Sequence, residues 1–184
     1  MLETRNVGRS GLRVSTIGLG CNNIGWTIDE AASRAVVHKA LDAGINLFDV
    51  ADYYGSPPGN SETVLGSLLG ERRKDVVLLS KFGIPLVGEP RFCTSRRYLM
   101  DAVEASLRRL KTDWIDIYMV HWPDPTTPME ETLRALDDLI RSGKIHYIAC
   151  SNHAAWKVVE SHWIARELGL NHFIAAQNEY SLLA

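Results

Sequence analysis

Trp114-Ile115-Asp116-Ile117-Tyr118-Met119-Val120-His121 is a mostly apolar run that ends on a polar side chain. A run of this length and composition is typical of a buried β-strand. A segment with helical periodicity follows over residues 127–142, and a second strand-like run occupies residues 144–150. Two strands that are separated by a helix predict a βαβ unit with parallel strands.

The same alternation continues along the rest of the chain. Further strand-like runs occupy residues 16–20, 45–48, 76–80 and 172–176. Further helices are predicted over residues 29–43, 61–69, 94–110 and 152–168. Asp29 is a candidate N-cap and Gly169 a candidate C-terminal stop, and Ala32, Val36 and Ala40 are expected to form one apolar stripe. Residues 2–6 and 12–15 flank a Gly8-Arg9-Ser10-Gly11 turn, which predicts an N-terminal β-hairpin.

Repeated strand–helix units are compatible with an open doubly wound sheet or with a (β/α)8 barrel. A doubly wound dinucleotide-binding fold would need a glycine fingerprint that opens a helix directly after the first strand. Gly18 and Gly20 could start such a fingerprint, but Asn23 stands where its third glycine should be. The residues after Gly20 also lack helical periodicity, so the sequence favours the barrel.

The polar residues at the strand ends are the most informative feature of the sequence. Each predicted strand from the second onward is followed by a side chain that can carry chemistry: Asp49, Lys81, His121, Ser151 with Asn152, and Gln177. Active sites of barrel enzymes lie at the carboxyl ends of the strands. We therefore expect these side chains to converge on one mouth.

Tyr54 lies five residues after Asp49 and completes a plausible acid–base set. A nearby lysine ammonium favours the ionised form of a tyrosine, and a carboxylate holds that ammonium in place. Asp49, Lys81 and Tyr54 together predict a general acid, and His121 could orient the same reacting oxygen. An acid aimed at an oxygen suits carbonyl reduction, for which a nicotinamide cofactor must supply the hydride.

Three stretches of the sequence resemble the signatures of the aldo-keto reductases. The first runs from Phe48-Asp49-Val50-Ala51-Asp52-Tyr53-Tyr54-Gly55 through residues 59–66, the second covers residues 106–121, and the third covers residues 143–152. Ala149 departs from the third signature, in which the family usually has glycine. The resemblance extends over essentially all of residues 1–184, which are expected to form a single domain with the (β/α)8 TIM barrel of this family.

The resemblance implies a reductase of small-molecule aldehydes or ketones. Its catalytic residues would be Asp49, Tyr54, Lys81 and His121. NADPH is the cofactor that the family implies, with NAD left open, and its contacts would be Cys21, Asn22, Asp49, Ser151, Asn152 and Gln177. Tyr53 is expected either in the wall of the pocket or packed within its loop.

The same residues are compatible with other chemistry. Lys81 at a strand end also suits the Schiff-base lysine of an aldolase, but Tyr54 and His121 in their motifs favour the reductase. His121 and Asp124 alone do not make metal-ligand spacing, so no metal is expected. Three aromatic residues are expected either to line an apolar pocket or to pack over the barrel rim: Trp26, Phe82 and Trp122. Arg108 and Arg109 are expected on a solvated helix face.

Composition excludes several classes of protein. The chain has 184 residues, with 20 Lys and Arg against 22 Asp and Glu, and its formal net charge is −2. This balance predicts no nucleic-acid partner, and no apolar run is long enough to predict a membrane span. The three cysteines fit no disulfide framework and the N-terminus shows no signal peptide, so we expect a cytoplasmic protein.

Six predicted strands are fewer than the eight of a complete barrel, which typically has about 250 residues. The chain is therefore expected to be a C-terminally incomplete barrel of about six β/α units. Barrels of this class often bind phosphate in the loops after strands seven and eight, so weak NADPH binding is expected, together with self-association through open sheet edges. A non-catalytic binding or regulatory protein on the reductase scaffold is the alternative function.

Overall fold

Eight strands and five helices make up the computed structural model, which describes residues 2–84 and 92–183. The strands are β1 (Thr4–Asn6), β2 (Arg13–Ser15), β3 (Gly18–Gly20), β4 (Leu47–Asp49), β5 (Val77–Phe82), β6 (Ile115–Val120), β7 (Ile145–Ser151) and β8 (Ala176–Gln177). The helices are α1 (Glu30–Asp42), α2 (Asn60–Leu69), α3 (Arg96–Leu110), α4 (Met129–Arg141) and α5 (Ala155–Leu168). A 3₁₀ segment, Gly70–Asp75, connects α2 to β5.

The two predicted end signals, Asp29 and Gly169, are confirmed. The Asp29 carboxylate accepts a hydrogen bond from the backbone N–H of Ala32 and caps α1. Ser95 caps α3 by accepting from the backbone N–H of Tyr98. Gly169 ends α5 with a φ of 64°, a left-handed conformation that glycine adopts without steric cost.

The sheet order decides between the two architectures. β3 to β8 are neighbours in sequence order and every pairing among them is parallel. A doubly wound sheet reverses its strand order at a switch point, and this sheet has no reversal. Together with the antiparallel β1–β2 hairpin, the six strands form a curled half-barrel of the (β/α)8 type, which confirms the predicted fold class.

Apolar side chains pack on both faces of this sheet. Phe48, Leu78 and Tyr118 belong to a large buried cluster that includes residues of all five helices. Val77, Leu79 and Met119 belong to a smaller cluster on the opposite, interior face, where Val14 of the hairpin joins them. Strands that are buried on both faces read as nearly continuous apolar runs, which explains why β5 and β6 were evident in the sequence.

Three local predictions were wrong. The last strand was expected over residues 172–176, but β8 comprises only Ala176–Gln177, the two residues that pair with the end of β7. β5 extends past its predicted end and includes Lys81. In the apolar stripe of α1, Ala40 is buried as predicted, but Ala32 is exposed and Val36 is 43% exposed, whereas Val37 is fully buried.

No helix within the described residues is both long enough and apolar enough to cross a bilayer.

Gly66 sets the approach of α2 to α3. A Cβ atom at this position would lie 2.6 Å from the backbone carbonyl of Leu110, closer than nonbonded atoms approach. Backbone atoms cannot rotate away as a side chain can, so the two helices would have to separate.

We predict that Gly66→Ala lowers the free energy of unfolding by ~1–3 kcal/mol, the usual cost of overpacking. Gly11→Ala is the matched control, because a Cβ there meets no heavy atom within 4 Å. Urea denaturation followed by circular dichroism measures both variants. Equal stability of the two would show that the α2–α3 contact yields without cost.

Candidate active site

Neighbouring parallel strands bring the predicted site residues together at their carboxyl ends. Asp49 is the last residue of β4 and Lys81 the fifth of the six residues of β5. His121 directly follows β6, and its backbone N–H donates to the Phe82 carbonyl at 2.8 Å. Because the strands run in one direction, these ends form one rim, and the predicted convergence is observed.

Lys81 is the centre of the site. Its side chain is 1% exposed, and its ammonium donates to Oδ1 of Asp49. The same nitrogen lies 3.2 Å from the hydroxyl oxygen of Tyr54. Burial of an ammonium is costly unless a negative charge and hydrogen bonds compensate it, and Asp49 supplies that charge.

Tyr54 lies in the loop between β4 and α2, with its ring between Lys81 and His121. The centroids of the Tyr54 and His121 rings are 5.6 Å apart, and the rings meet edge to face at 83°. The Tyr54 carbonyl accepts hydrogen bonds from the backbone N–H groups of Gly59 and Ser61. Contacts to the ring and to the backbone carbonyl therefore both fix the position of Tyr54.

His121 is a neutral imidazole at physiological pH. Its burial, and then the positive charge of Lys81, lower its pKa from 6.5 to about 3. His121 can thus donate or accept a hydrogen bond at the site without adding a second positive charge beside Lys81.

Ser151, Asn152 and Gln177 form the other side of the rim. The Ser151 hydroxyl donates to the Gln177 carbonyl at 2.7 Å, and the Asn152 amide donates to the His121 carbonyl at 2.9 Å. The Gln177 side-chain amide donates to Oδ2 of Asp49 at 2.7 Å. These contacts close a ring of hydrogen bonds from β4 to β8, so all three residues lie on the same rim as Asp49 and His121.

Cys21 and Asn22 follow β3 but are placed differently from the others. Cys21 is fully buried, and burial and the negative charge of Asp49 raise the pKa of its thiol to about 12. Its backbone N–H donates to the Asp49 carbonyl at 2.8 Å. Asn22 is exposed, and no hydrogen bond joins its side chain to the rim in the described part of the chain. Their contact with a cofactor stays a prediction.

The aromatic residues near the mouth divide into two groups. Trp26 and Tyr53 are exposed, and Trp122 stacks on Phe92 with ring centroids 5.7 Å apart. Phe82 is fully buried and stacks on Tyr118 in the core. Phe82 is therefore a core residue and lines neither a pocket nor the rim.

Asp124 stabilises the loop that follows His121. Its carboxylate accepts hydrogen bonds from Thr94, Thr126 and Thr127. Although burial opposes ionisation, these bonds lower its pKa to about 2. No group of three or more His, Cys, Asp or Glu side chains is placed to hold a metal ion within residues 2–84 and 92–183.

Sequence reasoning missed a partly buried ion pair behind the rim. Arg109, expected on a solvated face, donates from Nε to Glu62 at 2.7 Å, and Glu62 is fully buried. A glutamate in the first turn of a largely apolar helix was the available signal. A buried charge of this kind needs a partner, and Arg109 was a candidate for it.

The comparisons with known proteins agree with this geometry. A model of the aldo/keto reductase family matches residues 16–184. The chain belongs to the aldo/keto reductase family.

Curated relatives match nearly the whole of the chain. The uncharacterized oxidoreductase YrpG of Bacillus subtilis (strain 168) is 36% identical over 99% of this chain and 59% of its own length. The versiconal hemiacetal acetate reductase of Aspergillus parasiticus is 36% identical over the full chain and 60% of its own length. A probable voltage-gated potassium channel subunit beta of Oryza sativa subsp. japonica is 35% identical over the full chain and 56% of its own length. The chain thus spans about three fifths of the length of these relatives.

Because the pKa of His121 is lowered in the folded chain, the free energy of unfolding should depend on pH. The unfolded chain binds a proton at this imidazole below pH 6.5, while the folded chain binds none until pH approaches about 3. Stability is therefore lost as pH falls through this range, with a slope that approaches about 1.4 kcal/mol per pH unit for each such group. We predict that His121→Asn flattens the fall in unfolding free energy between pH 6 and pH 4.

Ser151→Ala provides the control, since it alters the same rim but removes no group that titrates between pH 4 and pH 6, and it should leave the slope as it is in the parent chain. Urea denaturation at a series of pH values measures all three proteins. An unchanged slope in His121→Asn would mean that the imidazole is charged in the folded state.

Proposed function

We propose that this chain carries the catalytic residues of a nicotinamide-dependent reductase that converts aldehydes or ketones to alcohols. The observation that carries the proposal is the position of Tyr54: its hydroxyl lies 3.2 Å from the Lys81 nitrogen, and its ring meets that of His121 edge to face. The names of two relatives, an oxidoreductase and a reductase, support this class of reaction.

Tyr54 is the proposed general acid. As a carbonyl is reduced, negative charge develops on its oxygen, and the Tyr54 hydroxyl donates a proton to that oxygen. The phenolate left behind is stabilised by the adjacent Lys81 ammonium, whose own charge is balanced by Asp49.

His121 is the proposed second contact for the carbonyl oxygen. It lies beside Tyr54 and is neutral, so it can donate a hydrogen bond and orient the substrate without competing as a proton source. Asn152 restrains the backbone of His121 through its hydrogen bond to the carbonyl.

The reaction requires a hydride donor, and a bound nicotinamide cofactor supplies the hydride. The rim fits the carboxamide of such a cofactor: Ser151, Asn152 and Gln177 are neutral hydrogen-bonding residues. In the described part of the chain, the side-chain amide oxygens of Asn152 and Gln177 accept no hydrogen bond from protein groups, so both can receive the carboxamide N–H. We propose NADPH as the cofactor, with NADH as the alternative.

The aldolase interpretation of Lys81 is weaker. A Schiff-base lysine must lose its proton to attack a carbonyl. The nitrogen of Lys81 is instead engaged by Asp49 and Tyr54.

The rest of the proposal rests on the sequence. We propose that residues 1–184 form one domain of a cytoplasmic protein, with a small-molecule carbonyl compound as substrate and no nucleic-acid or membrane partner. The outer strands β3 and β8 each have a single neighbour in the described sheet, so self-association through these edges is part of the proposal.

A regulatory subunit is the second candidate function. The observation in its favour is the 35% identical relative named as a potassium channel subunit. The assembled Asp49, Lys81 and Tyr54 favour the enzyme, because a purely regulatory protein needs no acid–base set. Turnover of an aldehyde separates the two candidates.

We predict that Tyr54→Phe lowers the rate of carbonyl reduction by roughly 10²- to 10⁴-fold, the usual contribution of a general acid. The affinity for NADPH should change little, since the hydroxyl is assigned to the substrate. The measurements are the loss of reduced-nicotinamide absorbance with an aldehyde panel and a titration of tryptophan fluorescence with NADPH.

Tyr53→Phe is the matched control because it removes the hydroxyl of the neighbouring, 45% exposed tyrosine. It should retain the rate of the parent chain. Near-normal turnover by Tyr54→Phe would refute the role of Tyr54, and cofactor binding without any turnover in the parent chain would favour the regulatory function.

A further inference from the structure

We propose that Glu62 is a positioning residue that fixes the distance between Tyr54 and Lys81 from behind the sheet. This inference rests on the proposed function, because it concerns the same acid. Glu62 touches neither the rim nor a substrate position. It acts through two elements, the strand that carries Lys81 and the helix start that holds the Tyr54 loop.

The first attachment is to the strand of Lys81. Ser80 precedes Lys81 on β5, so the two side chains point to opposite faces of the sheet. While Lys81 reaches Asp49 and Tyr54, Ser80 donates from its hydroxyl to Oε1 of Glu62 at 2.5 Å. Both Ser80 and Glu62 are fully buried. Glu62 is thereby fixed to the backbone unit next to Lys81.

The second attachment is to the loop of Tyr54. Glu62 lies in the first turn of α2, directly after Ser61, whose backbone N–H donates to the Tyr54 carbonyl at 3.1 Å. The Gly59 N–H donates to the same carbonyl at 3.1 Å. A shift of the first turn of α2 would therefore move the Tyr54 backbone. Glu62 holds that turn against β5.

Arg109 of α3 provides the charge that Glu62 requires. Arg109 donates to Oε2 of Glu62 at 2.7 Å and also contacts the Ser106 hydroxyl at 3.3 Å. Its side chain packs against the loop as well: a Cβ at Gly59, where φ is +86°, would lie 2.8 Å from Nε of Arg109. Arg109 thus fills the space under the loop that carries Tyr54.

A second buried carboxyl group, Asp52, belongs to the same cluster. Asp52 is 1% exposed, and its backbone N–H donates to the Lys81 carbonyl at 3.1 Å. Burial and the negative charge of Glu62 raise the pKa of Asp52 well above its usual range, while Arg109 and hydrogen bonds from Tyr53 and Tyr98 oppose the rise. Burial thus disfavours the charged form of Asp52, and it is Glu62 that accepts the hydrogen bond from Nε of Arg109.

The decisive variant is Glu62→Gln, which keeps the size of the side chain and an acceptor for Ser80 but removes the charge that binds Arg109. Hydrogen–deuterium exchange of the peptide that spans residues 55–61 is the first measurement. We expect the N–H groups of Gly59 and Ser61 to exchange at least 10-fold faster than in the parent chain. In steady-state reduction we expect kcat to fall by roughly 10-fold, with KM and NADPH affinity within twofold.

Asp137→Asn is the matched control. Asp137 is also a buried carboxylate on a helix, 3% exposed, with an arginine partner, since Arg141 donates to it at 2.6 Å. Its loss should lower global stability without accelerating exchange at residues 59 and 61 and without changing kcat. Arg109→Lys keeps a positive charge but loses the guanidinium geometry, and it supplies the same test if Glu62→Gln does not fold.

The inference is overturned if folded Glu62→Gln retains slow exchange in residues 55–61 and a normal kcat. It is also overturned if Asp137→Asn shows the same local effects, because a general loss of stability would then explain them. The exchange measurement does not depend on turnover. If the parent chain reduces no carbonyl compound, the proposed function is wrong, but hydrogen–deuterium exchange still shows whether Glu62 anchors the Tyr54 loop.

Discussion

The buried ion pair between Lys81 and Asp49 is the constraint on which the rest of the site depends. Desolvation of an ammonium costs several kcal/mol unless a close negative charge and hydrogen bonds offset it. The side chain of Lys81 is 1% exposed and that of Asp49 20%. The ammonium of Lys81 is therefore confined to a position within hydrogen-bonding distance of Asp49 and Tyr54. This confinement fixes a side chain that is otherwise long and flexible.

The parallel sheet makes this pair achievable. β4 and β5 are adjacent and parallel, and Asp49, the last residue of β4, pairs with Leu79, two residues before Lys81. β6 and β7 continue the same rim with His121 and Ser151, and Gln177 of β8 returns to Asp49. The chemistry of the mouth is set by strand order, whereas the layer behind it, through Glu62 and Arg109, sets how firmly Tyr54 is held.

Much of this could be predicted from the sequence because its strongest signals are local. The alternation of apolar runs with segments of helical periodicity predicts the incomplete barrel. The polar residues that follow the runs are predicted to be neighbours at its mouth: Asp49, Lys81, His121, Asn152 and Gln177. The predictions failed where partners distant in sequence decide the outcome. β8 is only two residues long because pairing with the end of β7 defines it, and Val36 and Val37 of α1 cannot be ranked without knowing the rotation of the helix. Arginine is usually a surface residue, and only the fold shows that Arg109 faces Glu62.

The proposed role of Lys81 is to act on the reaction through Tyr54. A double-mutant cycle in kcat for carbonyl reduction tests it most directly, with Lys81→Met, Tyr54→Phe and the double variant compared with the parent chain. If the lysine works only by stabilising the phenolate, the double variant should be no slower than Tyr54→Phe alone, within about threefold. Losses that multiply, so that the double variant falls by the product of the two single effects, would contradict the claim and give Lys81 a separate role.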